Sequence, residues 1–441
     1  MNKSLFLILV VLVLGSLSAF IKNFCTLVGL PNILIVIRDP LLIATTLYGI
    51  SKLNFFSSIK WGILISILCL FNIGYLLVAM YENKIYAGLY YQRSYMQPFL
   101  FFIGAYGVMQ SQNKINLAKY LVKFMAWWNF LLFLCAIVIF LVLKNFPQYQ
   151  HTFFAGESGD LLSSTWYISG GLWMRMGLPA SGPNTLGLIF SLNIVVFSVL
   201  LIKHTKLYVH GVSNRILVTS LVIAIIGLIL TFSRSSLLLV LFVLPILVFS
   251  GDIKSEKLLK ILLTFLLIAV LSVVVGIVAD TYSGGFIYRW IELNLSGKDP
   301  SMNGHMDSIL YAINHFNEYV YFGYPRGTVG PKSIIFTGVF NHVENCFFGI
   351  LMDMGVFIAL LYILSVIMLF LIGYKTKEQI VLLLGFMLPC TLLPYVFEHE
   401  LIIYFYFIYL TIGFLFKDKV AEDKSIPNKK YSYGVNIVYA K

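Results

Sequence analysis

Residues 216–250 read ILVTSLVIAIIGLILTFSRSSLLLVLFVLPILVFS. Two apolar runs, 216–232 and 235–250, meet there at a hexapeptide with almost no polar loop, and each is about the length an α-helix needs to cross a hydrocarbon core of roughly 30 Å. The pattern recurs. Further apolar runs of spanning length lie near 4–21, 31–50, 61–80, 95–111, 120–143, 182–202, 258–279, 342–373, 379–397 and 401–416, so the chain offers about twelve candidates. Only 11% of the 441 residues are charged and 59% are hydrophobic, against roughly 25% charged in a soluble domain. The fold class expected is all-α: a polytopic membrane protein with about twelve transmembrane helices and a long, partly helical external loop.

The predicted division is a single transmembrane domain, 1–416, with external loops 144–181 and 280–341, followed by a cytoplasmic basic tail, 417–441. The run 342–373 is longer than a span requires, which predicts a tilted helix or one that begins outside the hydrocarbon. Lys3, the apolar run after it, Ser16 and Ser18 have the make-up of a secretory signal. A retained first helix is favoured instead, because the twelve-span topology closes only with it.

Net charge is +12, but Lys and Arg gather in short clusters between apolar runs, which is the pattern of membrane orientation rather than of nucleic-acid binding. With the N-terminus inside, twenty of the 31 fall in the cytoplasm and both long loops are external. Residue type sharpens the division. Arg215 is the single arginine among the cytoplasmic twenty, whereas Arg93, Arg175, Arg234, Arg289 and Arg326 fall outside and Arg38 sits about 10 Å into the second span. Topology needs only charge, while planar arginine suits multidentate binding of phosphate. An external anion site is therefore expected; interfacial arginines that merely snorkel would give the same count.

Three motifs carry chemistry. RMGLPASGPNTLG (175–187) places Arg175 before a helix whose first turn Pro183 and Asn184 would set, and a helix start presents free N–H groups and a positive dipole end. TFSRSS (231–236) lodges Arg234 among hydroxyls beside the bilayer, where a cation is costly unless paired or functional. Asn341-His342-Val343-Glu344-Asn345-Cys346 opens an apolar helix, and Glu344 and His342 can each accept a proton as a general base must. A capped helix start, an interfacial turn and a carboxylate facing a helix dipole are the plain structural alternatives. Within the long loop, Met306 to Phe322 reads as amphipathic and able to lie on the membrane surface. Arg289, His305 and Arg326 are its polar candidates, and His315 reads as structural. Cys25, Cys69, Cys135, Cys346 and Cys390 stand singly, so neither a disulfide frame nor a metal site is expected, and no cofactor is implied. Glu398-His399-Glu400 is the one close acidic cluster placed externally, which leaves arginines to neutralise a diphosphate.

In order, RMGLPASGPNTLG, TFSRSS, the loop ending FGYPRGTVG (322–330) and ENCFFGILMDMG (344–355) resemble the O-antigen polymerase and ligase superfamily of bacterial membrane glycosyltransferases. The resemblance spans Met174 to Phe416. Glu344-Asn345 stands where ligases begin with His-Asn, so it favours the polymerase branch; Asn303-Gly304-His305 stands where relatives often carry an arginine. It implies transfer of a growing glycan from undecaprenyl diphosphate to a hydroxyl of the next lipid-linked repeat on the periplasmic face of the inner membrane. It also implies diphosphate binding by Arg175, Arg234, Arg289 and Arg326, activation of the acceptor by Glu344 or His342, and substrate contacts by His305, Asn345 and Arg38. Partners expected are undecaprenyl-diphosphate-linked oligosaccharides, membrane lipid and a chain-length regulator, with no nucleic acid. An O-antigen ligase shares these features. A lipid-glycan flippase or transporter would show two similar halves and charges through a central path, whereas here the charges gather at one face.

Overall fold

The computed structural model describes residues 3–17, 21, 25, 29, 33–53, 58–145, 167–168, 173–177, 182–203, 212–249, 300–330, 333–338, 345–391 and 399–416. These are helical apart from turns and one two-residue β ladder. The order is α1 (Lys3–Ser16), α2 (Ile33–Lys52), α3 (Ile59–Tyr81), α4 (Ile85–Gln110), α5 (Lys114–Asn145), β1 (Tyr167–Ile168), β2 (Trp173–Met174), α6 (Gly182–Lys203), α7 (Asn214–Thr231) and α8 (Arg234–Phe249). Then follow α9 (Pro300–Asn314), α10 (Phe316–Tyr319), α11 (Ser333–Thr337), α12 (Cys346–Gly373), α13 (Lys377–Cys390) and α14 (His399–Phe416).

Among the described residues, five helices are long and apolar enough to cross a membrane: α3, α5 over Asn116–Val142, α6 over Gly182–Leu201, α7 and α12. The expectation of about twelve spans differs from this for visible reasons. Arg38, Asp39 and Pro40 interrupt the apolar run of α2, Gln92, Arg93 and Gln97 that of α4, and α1, α8 and α14 are apolar but shorter. Helices stand at the other predicted runs too, except 258–279, which lies outside the described residues, as does 392–397 at the end of the run 379–397.

Helix α6 forms the axis of the bundle, buried at every position from Thr185 to Leu200, so its side chains meet protein all round. Its central asparagine is satisfied by neighbouring helices, whereas the Ser198 hydroxyl has no hydrogen-bond partner among the described residues. Asn193 donates to Asn129 Oδ1 of α5 (3.0 Å), Asn129 donates to the Ser220 carbonyl of α7 (2.9 Å), and the Tyr404 hydroxyl of α14 donates to Asn193 Oδ1. Helices α2 and α4 cross on small residues. A Cβ at Gly49 would meet the Gly104 carbonyl at 2.6 Å, and one at Gly107 would strike the Gly49 carbonyl. This close approach lets Thr46 Oγ1 reach the Leu100 carbonyl across the crossing (2.9 Å).

Helix α12 is broken where a single span was expected. Gly355 adopts φ 67°, ψ 169°, a conformation costly for any residue with a Cβ, and the break frees backbone groups that a helix would pair. The end of the long loop fills them. Tyr324 N donates to the Met352 carbonyl (2.6 Å), and Val356 N donates to the Val320 carbonyl (2.7 Å). The amphipathic stretch forms α9 and α10, with Ala312 and Tyr319 buried and Met306, Leu310, Ile313 and Phe316 exposed.

Candidate functional site

The β ladder delivers Arg175 directly after Met174, and Met176 N donates to the Leu230 carbonyl (3.0 Å), which pins this segment against the end of α7. Phe232 ends α7 in the left-handed region (φ 51°), turning the chain sharply enough for α8 to start at Arg234. The carbonyls exposed by that ending receive Arg175. Its Nε donates to Thr231 O (2.9 Å), and its Nη2 donates to Asn184 Oδ1 (2.7 Å) and to Phe232 O (3.4 Å). A cation at a helix C-terminus is also favoured by the dipole.

The first turns of α6 and α8 abut at the same place. Ser236 Oγ donates to the Asn184 carbonyl (3.1 Å), and Ser191 Oγ donates to the Ser236 carbonyl (2.7 Å). Gly187 permits the approach, for a Cβ there would lie 2.7–2.9 Å from Ser233, Thr231 and Ser236 side chains. Ser233 shares hydrogen bonds with Ser236 (2.6 Å) and Ser235 (3.3 Å). Arg234 is exposed at the mouth of this cluster. Two helix N-termini, two guanidinium groups and three hydroxyls thus converge, a combination suited to an anion. The motifs at 175–187 and 231–236, 44 residues apart in sequence, are brought together.

Arg326 lies in a different setting from the open diphosphate contact expected of it. It is 1% exposed, and its Nη1 donates to the carbonyls of Asp353 (2.6 Å), Phe322 (3.2 Å) and Tyr324 (3.2 Å). Its guanidinium stacks over Tyr75, 4.4 Å from the ring centroid. Its main-chain N–H donates to Glu82 Oε2 (2.8 Å), and Nη1 stands 3.9 Å from Glu82 Oε1. Burial pushes the Glu82 carboxyl above its ordinary value, against the lowering effect of Arg326. Tyr75 and Tyr95 donate to Asp353 Oδ2 (3.0 and 2.7 Å), completing a buried network under the break in α12. Nη1 carries all three carbonyl bonds, while Nε and Nη2 are buried with no hydrogen-bond partner among the described residues; through Nη1 and the Tyr75 ring, Arg326 ties the loop to α12 and α3.

Asn345 is likewise committed. Its Oδ1 caps α12 through Phe347 N (2.9 Å) and Phe348 N (3.1 Å), and its Nδ2 donates to the Thr391 carbonyl (2.8 Å). Arg38 donates to Asp39, which also accepts from Arg93 and Gln97, between α2 and α4. His305 falls within α9. His315 stacks on Tyr311 at 4.1 Å between centroids. Arg289, His342 and Glu344 lie outside the described residues. Sequence reading passed over Asp39, Gln97 and Glu82; adjacent opposite charges before Pro40 inside an apolar run were the available sign of the first. Among the described residues no group of three His, Cys, Asp or Glu side chains could hold a metal ion.

Residues 219–363, from within α7 into α12, match the family described as O-antigen ligase. The matched stretch is 145 of the 441 residues, about a third of the chain, and over it the chain is similar to that family. No curated protein and no solved structure matches the chain.

Proposed function

We propose that this chain polymerises glycan repeats at the periplasmic face of the bacterial inner membrane, transferring a growing glycan from undecaprenyl diphosphate to a hydroxyl of the next lipid-linked repeat. The acceptor oxygen forms the new bond at the anomeric carbon as the bond to the diphosphate oxygen breaks. Glu344 or His342 takes the hydroxyl proton, and the lipid diphosphate leaves with the bonding electrons. Negative charge on that leaving group grows in the transition state, where fixed donors in a partly dry site stabilise it strongly. The observation that supports this reading is the convergence of Arg175, Arg234 and Ser233, Ser235 and Ser236 at the first turns of α6 and α8. Arg289 belongs to the same proposed anion set, whereas Arg326 is assigned to holding the loop. Twelve spans with both termini cytoplasmic are part of the reading, as is docking of a chain-length regulator.

Ligation of a finished glycan to another acceptor is the second reading, favoured by the description of the matched family. Glu344-Asn345 in place of His-Asn favours polymerisation. The deciding experiment compares a deletion strain complemented with wild type, Arg175→Ala or Arg234→Ala. Each variant should abolish long chains while single-repeat material still reaches the surface, and an unchanged chain-length ladder would remove that arginine from the site. Loss of even the single repeat would favour the ligase. Because arginines are assigned the neutralising role, polymerisation by purified protein should survive a divalent-metal chelator.

A further inference from the structure

We infer that α2 and α4 form a second anion site, built by Arg38, Arg93 and Gln97 around Asp39, and that it takes the phosphate-class headgroup of a membrane lipid. The cluster holds two guanidinium groups and one carboxylate. Asp39 Oδ1 accepts from Arg38 Nε (3.1 Å) and Gln97 Nε2 (3.0 Å), while Oδ2 accepts from Arg93 Nε (2.7 Å). Both oxygens are therefore engaged, and one positive charge is left over.

Arg38 is 7% exposed, and its Nε bond to Asp39 is the one hydrogen bond its guanidinium makes among the described residues. A nearly enclosed cation with unengaged outer nitrogens is costly unless an anion completes it. Gln97 adds an independent sign. It is 4% exposed, its amide N–H groups point at Asp39, and its Oε1 has no hydrogen-bond partner among the described residues. The unmet groups are thus the outer nitrogens of Arg38 and one acceptor, Arg93 being engaged with Asp39 through Nε and Nη2, and they fit a partly protonated phosphate or diphosphate. Arg93, half exposed at 48% of its side chain, gives access.

The lipid-borne source follows from the flanks. Val36, Ile37 and Ile43 on α2 and Leu89 on α4 are exposed apolar side chains around the cluster, so an acyl or prenyl chain can lie where a free ion would have no contact. The residues are wholly separate from those around Arg175. Resting on the polymerase reading, which requires two lipid diphosphates at once, the α2–α4 cluster would hold one headgroup while the Arg175 cluster holds the other.

The test uses the full chain in neutral-lipid nanodiscs, with undecaprenyl diphosphate as probe and native mass spectrometry as readout. Wild type should carry two lipids, and Arg38→Gln or Arg93→Gln should carry one, the second binding at least about tenfold more weakly. Asp39→Asn should change binding in the opposite direction, because it removes the neutralising charge. A purely structural ion-pair cluster would instead lose stability in all three variants with lipid occupancy unchanged, and that result overturns the inference. Should Arg38→Gln fail to fold, Arg93→Gln decides, since its side chain is half in solvent. Inorganic diphosphate is the second arm: failure to displace the lipid supports a lipid headgroup, whereas displacement at equal concentration overturns that assignment in favour of the free anion. Arg175→Gln separates the two readings. If it leaves lipid occupancy and polymerisation intact while Arg38→Gln removes one lipid, the proposed reaction site fails and the α2–α4 site stands.

Discussion

Arg326 and Glu82 show how a loop residue becomes part of the bundle. One nitrogen, Nη1, reaches three carbonyls while the guanidinium lies over the Tyr75 ring face, and it is the ring contact that calls for a planar cation. Arg326→Met would leave the Asp353 carbonyl without its side-chain donor and remove the cation beside Glu82, whose bond from the main-chain N–H of residue 326 remains; breaking a buried charge pair costs about 3–5 kcal/mol. Thermal unfolding of the purified protein should fall accordingly, and Arg326→Lys should not restore it; full rescue by lysine would mean that charge alone matters. Glu82 gives a pH dependence with a defined sign. Burial raises its carboxyl above the usual 4.5 in the folded protein, so between 4.5 and the raised value the folded state holds the proton that the unfolded state has released. Stability then falls as pH rises through that window and levels off above it. Glu82→Gln should remove this part of the slope in unfolding curves taken from acid to neutral pH, and identical slopes would place the linkage elsewhere.

Helix α12 shows what a run of apolar residues conceals. Its length was legible, and tilt or an external start was the natural expectation, but Gly355 among Met354 and Val356 reads as any small residue in a helix. The positive φ became visible only with the groups that compensate it, the Tyr324 and Arg326 donors and the Val320 carbonyl, about 30 residues earlier in the chain. Helices α7 and α8 were readable for the converse reason, since Thr231–Ser236 breaks the apolar pattern with no room for a loop. Grouping Arg175 with that turn came from the order of motifs. Its bonds to the carbonyls of Thr231 and Phe232 did not, because they depend on how α7 ends. The Arg38–Asp39 pair was visible as charge, yet Arg93 joins it only through the crossing at Gly49, Gly104 and Gly107. Gly355→Ala tests the break. A Cβ there would strike the Tyr321 carbonyl and Phe322, and the strained backbone alone costs about 1–3 kcal/mol. The variant should exchange amide hydrogens faster across 320–326 than wild type; equal protection would show that the break does not depend on glycine.

Across the whole molecule, the sorting of arginine from lysine becomes a statement about direction once the helices are in place. Arg215 lies in the first turn of α7, capped by Ser213, while Thr231 at its far end meets Arg175 and adjoins Arg234. One helix of 18 residues, about 27 Å long at 1.5 Å per residue, therefore separates the single arginine assigned to the cytoplasm from the cluster assigned to the periplasm. The buried chain Asn129–Asn193–Tyr404 fastens α5, α6, α7 and α14 together, so α7 cannot be inverted without unpairing groups that the membrane interior would leave unsatisfied. The orientation can be read with two cysteines placed in a background free of native ones: Ser213→Cys and Phe232→Cys, both at exposed positions. In intact spheroplasts a membrane-impermeant thiol reagent should label position 232 and spare 213, and lysis should make 213 reactive. The reverse pattern would put the Arg175 cluster on the cytoplasmic side, where a polymer bound for the surface is not assembled in the proposed reaction, and the positive-inside count would have to yield to it.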